Sequence, residues 1–454
     1  MNHSFSILKP LFDRKVILSF ILTSTFLTCL YLLNFNNDLT FLVLMIVFCS
    51  SLFLYRSGKQ EKTVLGILAG ISAGMAGYYL FVCWQLFFSI LEWDFLAFYV
   101  YGKAGAEGLQ FYNPESFTNI LAAIHLPFEV SKDFADSIIK VGVSYPPTTM
   151  LMLAPFGFLD LYTANILWRT FIISFLVLDI LLIYRIFLAK ESRLIHLLII
   201  MTLILIFRGS LKTVYLSQTV FLMLFCILLI YRDPDNWKSG IYLAIAVMIK
   251  PIAIVWGLYY LVNRRFKPFY SFVISGVVLV ALTIFFFGIN NFVTYFTSNP
   301  TLRIPAFVYN DNFNQSLNAV FGRFVSHYNI SFLTVNKEII IAGISIFLIG
   351  ITCIASFRLA KQDKRNAFMI FVPLSLLVYP GCLVNYTPML LPIFFCLLHS
   401  KEKICLPLAT AFLLIAGFST FTGNLAILIV LVAFSFLNLK IFTATPSMER
   451  VSNS

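Results

Sequence analysis

Residues 92–112 read EWDFLAFYVYGKAGAEGLQFY, and the fold turns on how this stretch is placed. It follows an apolar run over 64–91 and opens a segment, ending near 145, that holds no further run long enough to cross a membrane. Asp94 emerges from the end of the apolar run and is followed by Tyr99, Tyr101, Gly105, Gly108 and Tyr112. No other carboxylate stands so clearly at the junction of an apolar run and an aromatic, glycine-bearing segment. The chemistry is therefore expected here, with the rest of the chain as its scaffold.

The rest is membrane-like. Of 454 residues, 60% are hydrophobic and 11% charged, and 50 are Phe; soluble proteins carry roughly 25% charged residues. Runs near the ~20 residues needed to cross hydrocarbon leave little for a soluble core. The net charge of +12 reads as Lys and Arg collected in cytoplasmic loops, with no nucleic-acid partner. The eight cysteines sit mostly inside apolar runs without CxxC spacing, so they read as small core residues, neither a disulfide framework nor zinc ligands.

Working outward, Lys9, Arg14 and Lys15 precede the run 16–33, which reads as a retained helix with its N-terminus in the cytoplasm. The run 39–55 returns to Arg56, Lys59 and Lys62, and the run 64–91 then delivers Glu92 and Asp94 to the outer face. Residues 92–145 form an outer loop with short interfacial helices predicted near 95–108, 116–124 and 131–142; long loops of this kind are usually functional. The loop leaves through Ser144-Tyr145-Pro146-Pro147, where paired prolines suit a helix start. Runs follow at 148–159, 163–188, 194–207, 219–231 and 239–262. The first is short and contains Pro155, and the last is split at Lys250-Pro251. Read as broken elements that return to the side they came from, both leave Arg185, Lys190, Arg193, Arg264, Arg265 and Lys267 inside. Irregular backbone at membrane depth needs surrounding protein or a water-filled cavity, so both breaks point to a site.

A run over 269–288 leads to a second outer loop, 289–336, and the run 338–357 returns to Arg358, Lys361, Lys364 and Arg365. Four more runs follow near 367–380, 386–398, 404–418 and 424–441. The expected fold is an all-α polytopic bundle of about 12 transmembrane helices plus re-entrant elements. Its parts are an N-terminal hairpin (1–63), a catalytic membrane domain (64–400) and a C-terminal hairpin with a short tail (401–454), all integral to the cytoplasmic (inner) membrane.

With this sidedness Asp94, Tyr145, Arg208, Lys212, Gln218, Lys250, Arg303, Asn314, Gln315, Arg323 and His327 all fall at or near the outer face, where intramembrane polar groups are functional candidates by default. Lys250 is the strongest candidate for a phosphate, followed by Arg208, Lys212, Arg303 and Arg323, since Arg grips phosphate as a fork and Lys as a point charge. Tyr99, Tyr145, Gln218, Asn314, Gln315 and His327 are candidates for sugar or acceptor hydroxyls. Plainer roles stand beside these: Asp94 suits an N-cap, as do Gln218 and Asn314, and Lys250 suits snorkelling. Asp179, buried in an apolar run near its cytoplasmic end, reads as half of a structural pair. No carboxylate cluster suggests a divalent metal, so no cofactor is expected.

In order along the chain stand Asp94, Gly108 to Tyr112 (G-x-x-F-Y), Tyr145-Pro146-Pro147, Leu167-Trp168, Ser217-Gln218, Lys250-Pro251 and Asn314-Gln315-Ser316-Leu317. This set resembles glycosyltransferase family 87, over roughly residues 64–400. Ser217 departs from the family, which commonly has Gly before the Gln, and two apolar runs precede the Asp-bearing one. The resemblance implies a GT-C-like membrane transferase that takes a hexose, mannose by analogy with the mycobacterial mannosyltransferases, from a polyprenyl-phosphate sugar. The acceptor would be a glycolipid or glycan on the extracytoplasmic face of the bilayer. The residues fit such chemistry: Asp94 as the single base for an inverting transfer, cations for a phosphate that leaves as a stable anion. A transporter or flippase of a lipid-linked sugar is the other reading. The absence of a clear inverted repeat and the large first outer loop favour the enzyme.

Overall fold

A computed structural model describes residues 13–32, 37–58, 60–88, 93–110, 145–188, 194–297, 314–328 and 335–399, with 112, 119, 122, 123, 332 and 407 as single positions. Among them the regular elements are all helical, and the one β pairing is an isolated bridge between Asn314 and Leu383. Arg303, Glu92, most of the predicted loop helices beyond residue 112 and the C-terminal hairpin lie outside the described residues.

Three helices precede the Asp94 segment: α1 (Arg14–Leu32), α2 (Asn37–Arg56) and α3 (Glu61–Phe88). Gly66, Gly70 and Gly74, spaced by four, share one face of α3 and face α1. A Cβ added at Gly70 would lie 2.9 Å from the Thr23 Cβ, and one at Gly74 2.7 Å from the Leu27 Cδ1. Small residues at this spacing let two membrane helices approach backbone to backbone.

Asp94 sits in the first turn of α4 (Trp93–Ala106). Paired prolines then start the next element as expected: Pro146 is extended and Pro147 occupies the first position of a 3₁₀ turn, Pro147–Thr149, that runs into α5 (Met150–Gly157). Where α4 crosses α5, a Cβ on Gly157 would overlap the Gly102 carbonyl, and one on Gly102 would meet the Leu153 carbonyl. Gly157→Leu is therefore expected to force these backbones apart and destabilise by about 1–3 kcal/mol or more. Its melting temperature in detergent should fall well below that of Gly276→Ala, since nothing lies within 4 Å of a Cβ at Gly276.

The middle of the chain builds the core. It contains α6 (Leu161–Ile183, continued by a π-helical turn, Tyr184–Leu188), α7 (Leu194–Ile206), α8 (Arg208–Tyr215), α9 (Val220–Arg232) and α10 (Trp237–Ile249). Pro251–Trp256 is 3₁₀ and leads into α11 (Gly257–Val262) and α12 (Phe266–Phe287). After α13 (Asn290–Thr297) come α14 (Leu317–Tyr328), α15 (Lys337–Leu359), α16 (Lys364–Met369), α17 (Phe371–Val378), a 3₁₀ segment Val384–Leu390 and α18 (Leu391–His399).

Among the described residues four helices are long and apolar enough to span: Glu61–Phe87, Leu161–Phe187, Phe266–Phe287 and Lys337–Leu359. A fifth is added if α7 and α8, bent by 62°, count as one. These apolar helices, α12 almost entirely outward-facing, make this a membrane protein. Other apolar runs fold as shorter helices, α9 and α17 among them, whose side chains are buried inside the bundle.

Both broken elements return to the end they left. Asp235, before α10, pairs with Arg265 (3.2 Å) after α11 and with Lys364 (2.6 Å), and the Tyr260 hydroxyl donates to Ser239 Oγ at 2.9 Å. Residues 235–265 thus form a hairpin with its feet together and Lys250 at its tip. The tip is opened by Pro251, which lacks an N–H and drives Lys250 into extended backbone (φ −148°, ψ 130°). The run 148–159 is tied to that tip at its start, where Thr149 Oγ1 donates to the Met248 carbonyl (2.8 Å). It stays beside α4 at its end, where the Tyr99 hydroxyl donates to the Leu159 carbonyl (2.9 Å). The far end of the bundle gathers Arg185, Arg232, Arg264, Arg265, Arg358 and Lys364 at helix ends.

Candidate active site

Four elements converge on one cluster. Asp94 comes from the start of α4, Tyr145 from the residue before the paired prolines, Gln218 from the turn between α8 and α9, and Lys250 from the tip of the hairpin. The Gln218 amide sits between the two charges. Its Nε2 donates to Asp94 Oδ2 at 2.6 Å, and its Oε1 accepts from Lys250 Nζ at 2.6 Å and from the Tyr145 hydroxyl at 3.2 Å. Lys250 is buried, also donates to the Tyr386 hydroxyl, and lies 4.2 Å and 5.1 Å from the ring centroids of Tyr386 and Tyr145. Aromatic faces stabilise a desolvated cation.

Local structure explains each placement. The Tyr112 hydroxyl donates to the Tyr145 carbonyl (2.7 Å), fixing the strand of chain that carries Tyr145. Ser217 takes a left-handed backbone (φ 56°), and the Gln218 N–H donates to the Thr213 carbonyl at 3.0 Å, closing the turn that aims Gln218 inward. Trp168 Nε1 holds the same turn by donating to the Ser217 carbonyl (2.9 Å). A left-handed residue strains any side chain, a β-branched one most. Ser217→Gly is expected to be near neutral, within about 1 kcal/mol, and Ser217→Val to be clearly destabilised; melting temperatures measured side by side check this.

A profile of Glycosyltransferase family 87 matches residues 144–384, just over half of the chain, and takes in Tyr145, Gln218 and Lys250. The chain belongs to glycosyltransferase family 87. Asp94 and Tyr386 lie outside the matched range. No curated protein and no solved structure matches the chain.

The other candidates fall around the cluster rather than in it. Tyr99 spends its hydroxyl on the Leu159 carbonyl, away from Gln218. Asn314, Gln315 and Ser316 are buried and bind backbone: Asn314 Nδ2 and Ser316 Oγ each donate to the Pro380 carbonyl (2.8 Å), and the Gln315 N–H to the Cys382 carbonyl. They brace the segment that presents Tyr386. Arg323 donates to the Asn314 carbonyl at 3.1 Å. Arg208 and Lys212 are partly exposed on α8, which packs on the Val384–Leu390 segment through Thr213 and Gly209. His327 is exposed near the end of α14, edge-on to Tyr328.

Tyr386 is the site residue that sequence reasoning missed. Only its contact with Lys250, 136 positions away, distinguishes it from the other tyrosines. Asp179 was expected to have a structural partner, yet it is fully buried and neither carboxylate oxygen accepts a hydrogen bond among the described residues.

Asp94 lies outside the spanning helices, and its electrostatics suit a base. Burial pushes its carboxyl above the usual range, opposed by the Gln218 hydrogen bond and by the Lys250 charge. A base must be ionised to act, so activity is lost as pH falls through the native value. The acid limb of a pH–rate profile is expected above the ordinary ~3.9 of Asp; a limb at or below that value contradicts the assignment.

Proposed function

We propose that the chain is an inverting hexosyltransferase, with mannose as the sugar suggested by the resemblance. The donor is a polyprenyl-phosphate sugar and the acceptor a glycolipid or glycan on the extracytoplasmic face. One observation carries the reading: a carboxylate and a buried ammonium held apart by a single amide, each 2.6 Å from it. That spacing suits a sugar whose phosphate rests on Lys250 and whose anomeric carbon faces an acceptor hydroxyl on Asp94.

In the transfer the acceptor oxygen forms a bond to the anomeric carbon from the face opposite the phosphate. The bond from that carbon to the phosphate oxygen breaks, and the electron pair leaves with polyprenyl phosphate. Asp94 takes the acceptor proton as charge shifts, which is worth about 10²–10⁴-fold. Lys250 and the Tyr386 hydroxyl meet the growing negative charge on the phosphate, as fixed donors in a water-poor site do. The far end of the bundle, rich in Arg and Lys, suits a cytoplasmic face, which supports the reading of this cluster as extracytoplasmic.

The test is purified protein in proteoliposomes with a polyprenyl-phosphate hexose and a glycolipid acceptor. Transfer is expected to release polyprenyl phosphate and give a product one hexose heavier by mass spectrometry. Movement of the donor between leaflets without a new glycosidic bond favours the flippase reading and overturns this one.

A further inference from the structure

A guanidinium lies buried inside the spanning helix Leu161–Phe187, at Arg169. Charge at such a position is costly and is kept for function or for holding backbone. Arg169 Nε donates to Asn165 Oδ1 at 2.7 Å, and its Nη1 makes longer contacts to the carbonyls of Val214 (3.4 Å) and Tyr215 (3.5 Å). Asn165 Nδ2 in turn donates to the Leu86 carbonyl at 2.9 Å. Asn165, Trp168 and Arg169 share one face of α6 by their spacing.

Each carbonyl gripped by this face closes a helix or the turn after it. Leu86 is in the last turn of α3, whose chain leads on to Asp94. Val214 and Tyr215 end α8, and Ser217, held by Trp168, immediately precedes Gln218. Carbonyls at a helix C-terminus lack intrahelical partners and carry the negative end of the helix dipole, so a cation there is favoured twice over. We propose that Arg169 is a positioning residue for the transfer. Through Asn165 and the end of α8 it sets the register between the chain bearing Asp94 and the chain bearing Gln218.

The inference rests on the reading of Asp94 as the base. Its test uses full-length Arg169→Met, Arg169→Lys and Trp168→Phe in lipid nanodiscs with a polyprenyl-phosphate hexose, reading kcat, donor KM and the pH profile. Misplacing reacting groups by about 1 Å costs up to ~10²-fold, so Arg169→Met is expected to lose about 10–100-fold in kcat with donor KM nearly unchanged. Its acid limb should move to higher pH as Asp94 loses the Gln218 hydrogen bond. Arg169→Lys should regain most of the rate, and Trp168→Phe should show a smaller shift of the same kind. Unchanged kcat, or a loss that only tracks the folded fraction with the acid limb in place, overturns the proposal. If Arg169→Met does not fold, an unmoved acid limb in Trp168→Phe does so. Full activity in Asp94→Asn would remove the underlying reading, whereas inactive Asp94→Asn beside wild-type-like Arg169→Met refutes the Arg169 assignment alone.

Discussion

Asp94→Asn is expected to cut transfer about 10²–10⁴-fold, the range that a positioned general base supplies, while the protein still folds and inserts. Asparagine keeps the carbonyl oxygen that accepts from Gln218 Nε2 at 2.6 Å, so the turn between α8 and α9 keeps its partner. What disappears is the capacity to hold a proton. Donor binding should be nearly unchanged, since Lys250 still has Gln218 and Tyr386 around it. Initial rates of polyprenyl phosphate release in proteoliposomes give the answer. Rates within a few-fold of wild type would remove Asp94 from the mechanism and return it to a cap at the start of α4.

Lys250→Met should lose about 10²–10³-fold, as removal of one fixed donor from a charge-stabilising site does, and the loss should appear in both donor KM and kcat. Methionine matches the length of the lysine stem, but taking one charge out of a buried, interacting pair costs stability, since Asp94 loses the Lys250 charge that favours its ionised form. Activity lost per folded molecule, with the folded fraction measured beside it, therefore identifies a functional cation. Lys250→Arg tests shape. The box between the Tyr386 and Tyr145 rings, at 4.2 Å and 5.1 Å, suits a compact ammonium, and the bulkier planar fork is expected to restore only part of the rate. Full activity in Lys250→Met would end the proposed donor site.

Four members of the cluster were legible in the sequence because helix-breaking or charged residues mark them within apolar surroundings. Asp94 closes an apolar run, Tyr145 precedes two prolines, Gln218 follows a short polar turn and Lys250 precedes Pro251. Their convergence was not legible, since Gln218 and Asp94 are 124 positions apart. Tyr386 had no local mark at all. The burial of some apolar runs was hidden for a different reason: α9 and α17 are apolar and enclosed by protein, and hydropathy cannot separate that from facing lipid. The Asn314-Gln315-Ser316 segment reads equally as sugar-binding or as backbone bracing until the Pro380 and Cys382 carbonyls are seen to take its hydrogen bonds.

The hairpin 235–265 acts as a cantilever. Its foot is clamped at the basic end by Asp235 between Arg265 and Lys364, and its 13-residue first arm carries Lys250 about 20 Å away at 1.5 Å per residue. Rocking at the clamp is magnified at the tip, where the Thr149 hydroxyl on Met248 is the rest that steadies it. The Lys250 ammonium, the proposed donor-side cation, is thus aimed from the opposite side of the bundle. Loosening the clamp with salt or with Asp235→Asn would blur the site without touching a single residue in it.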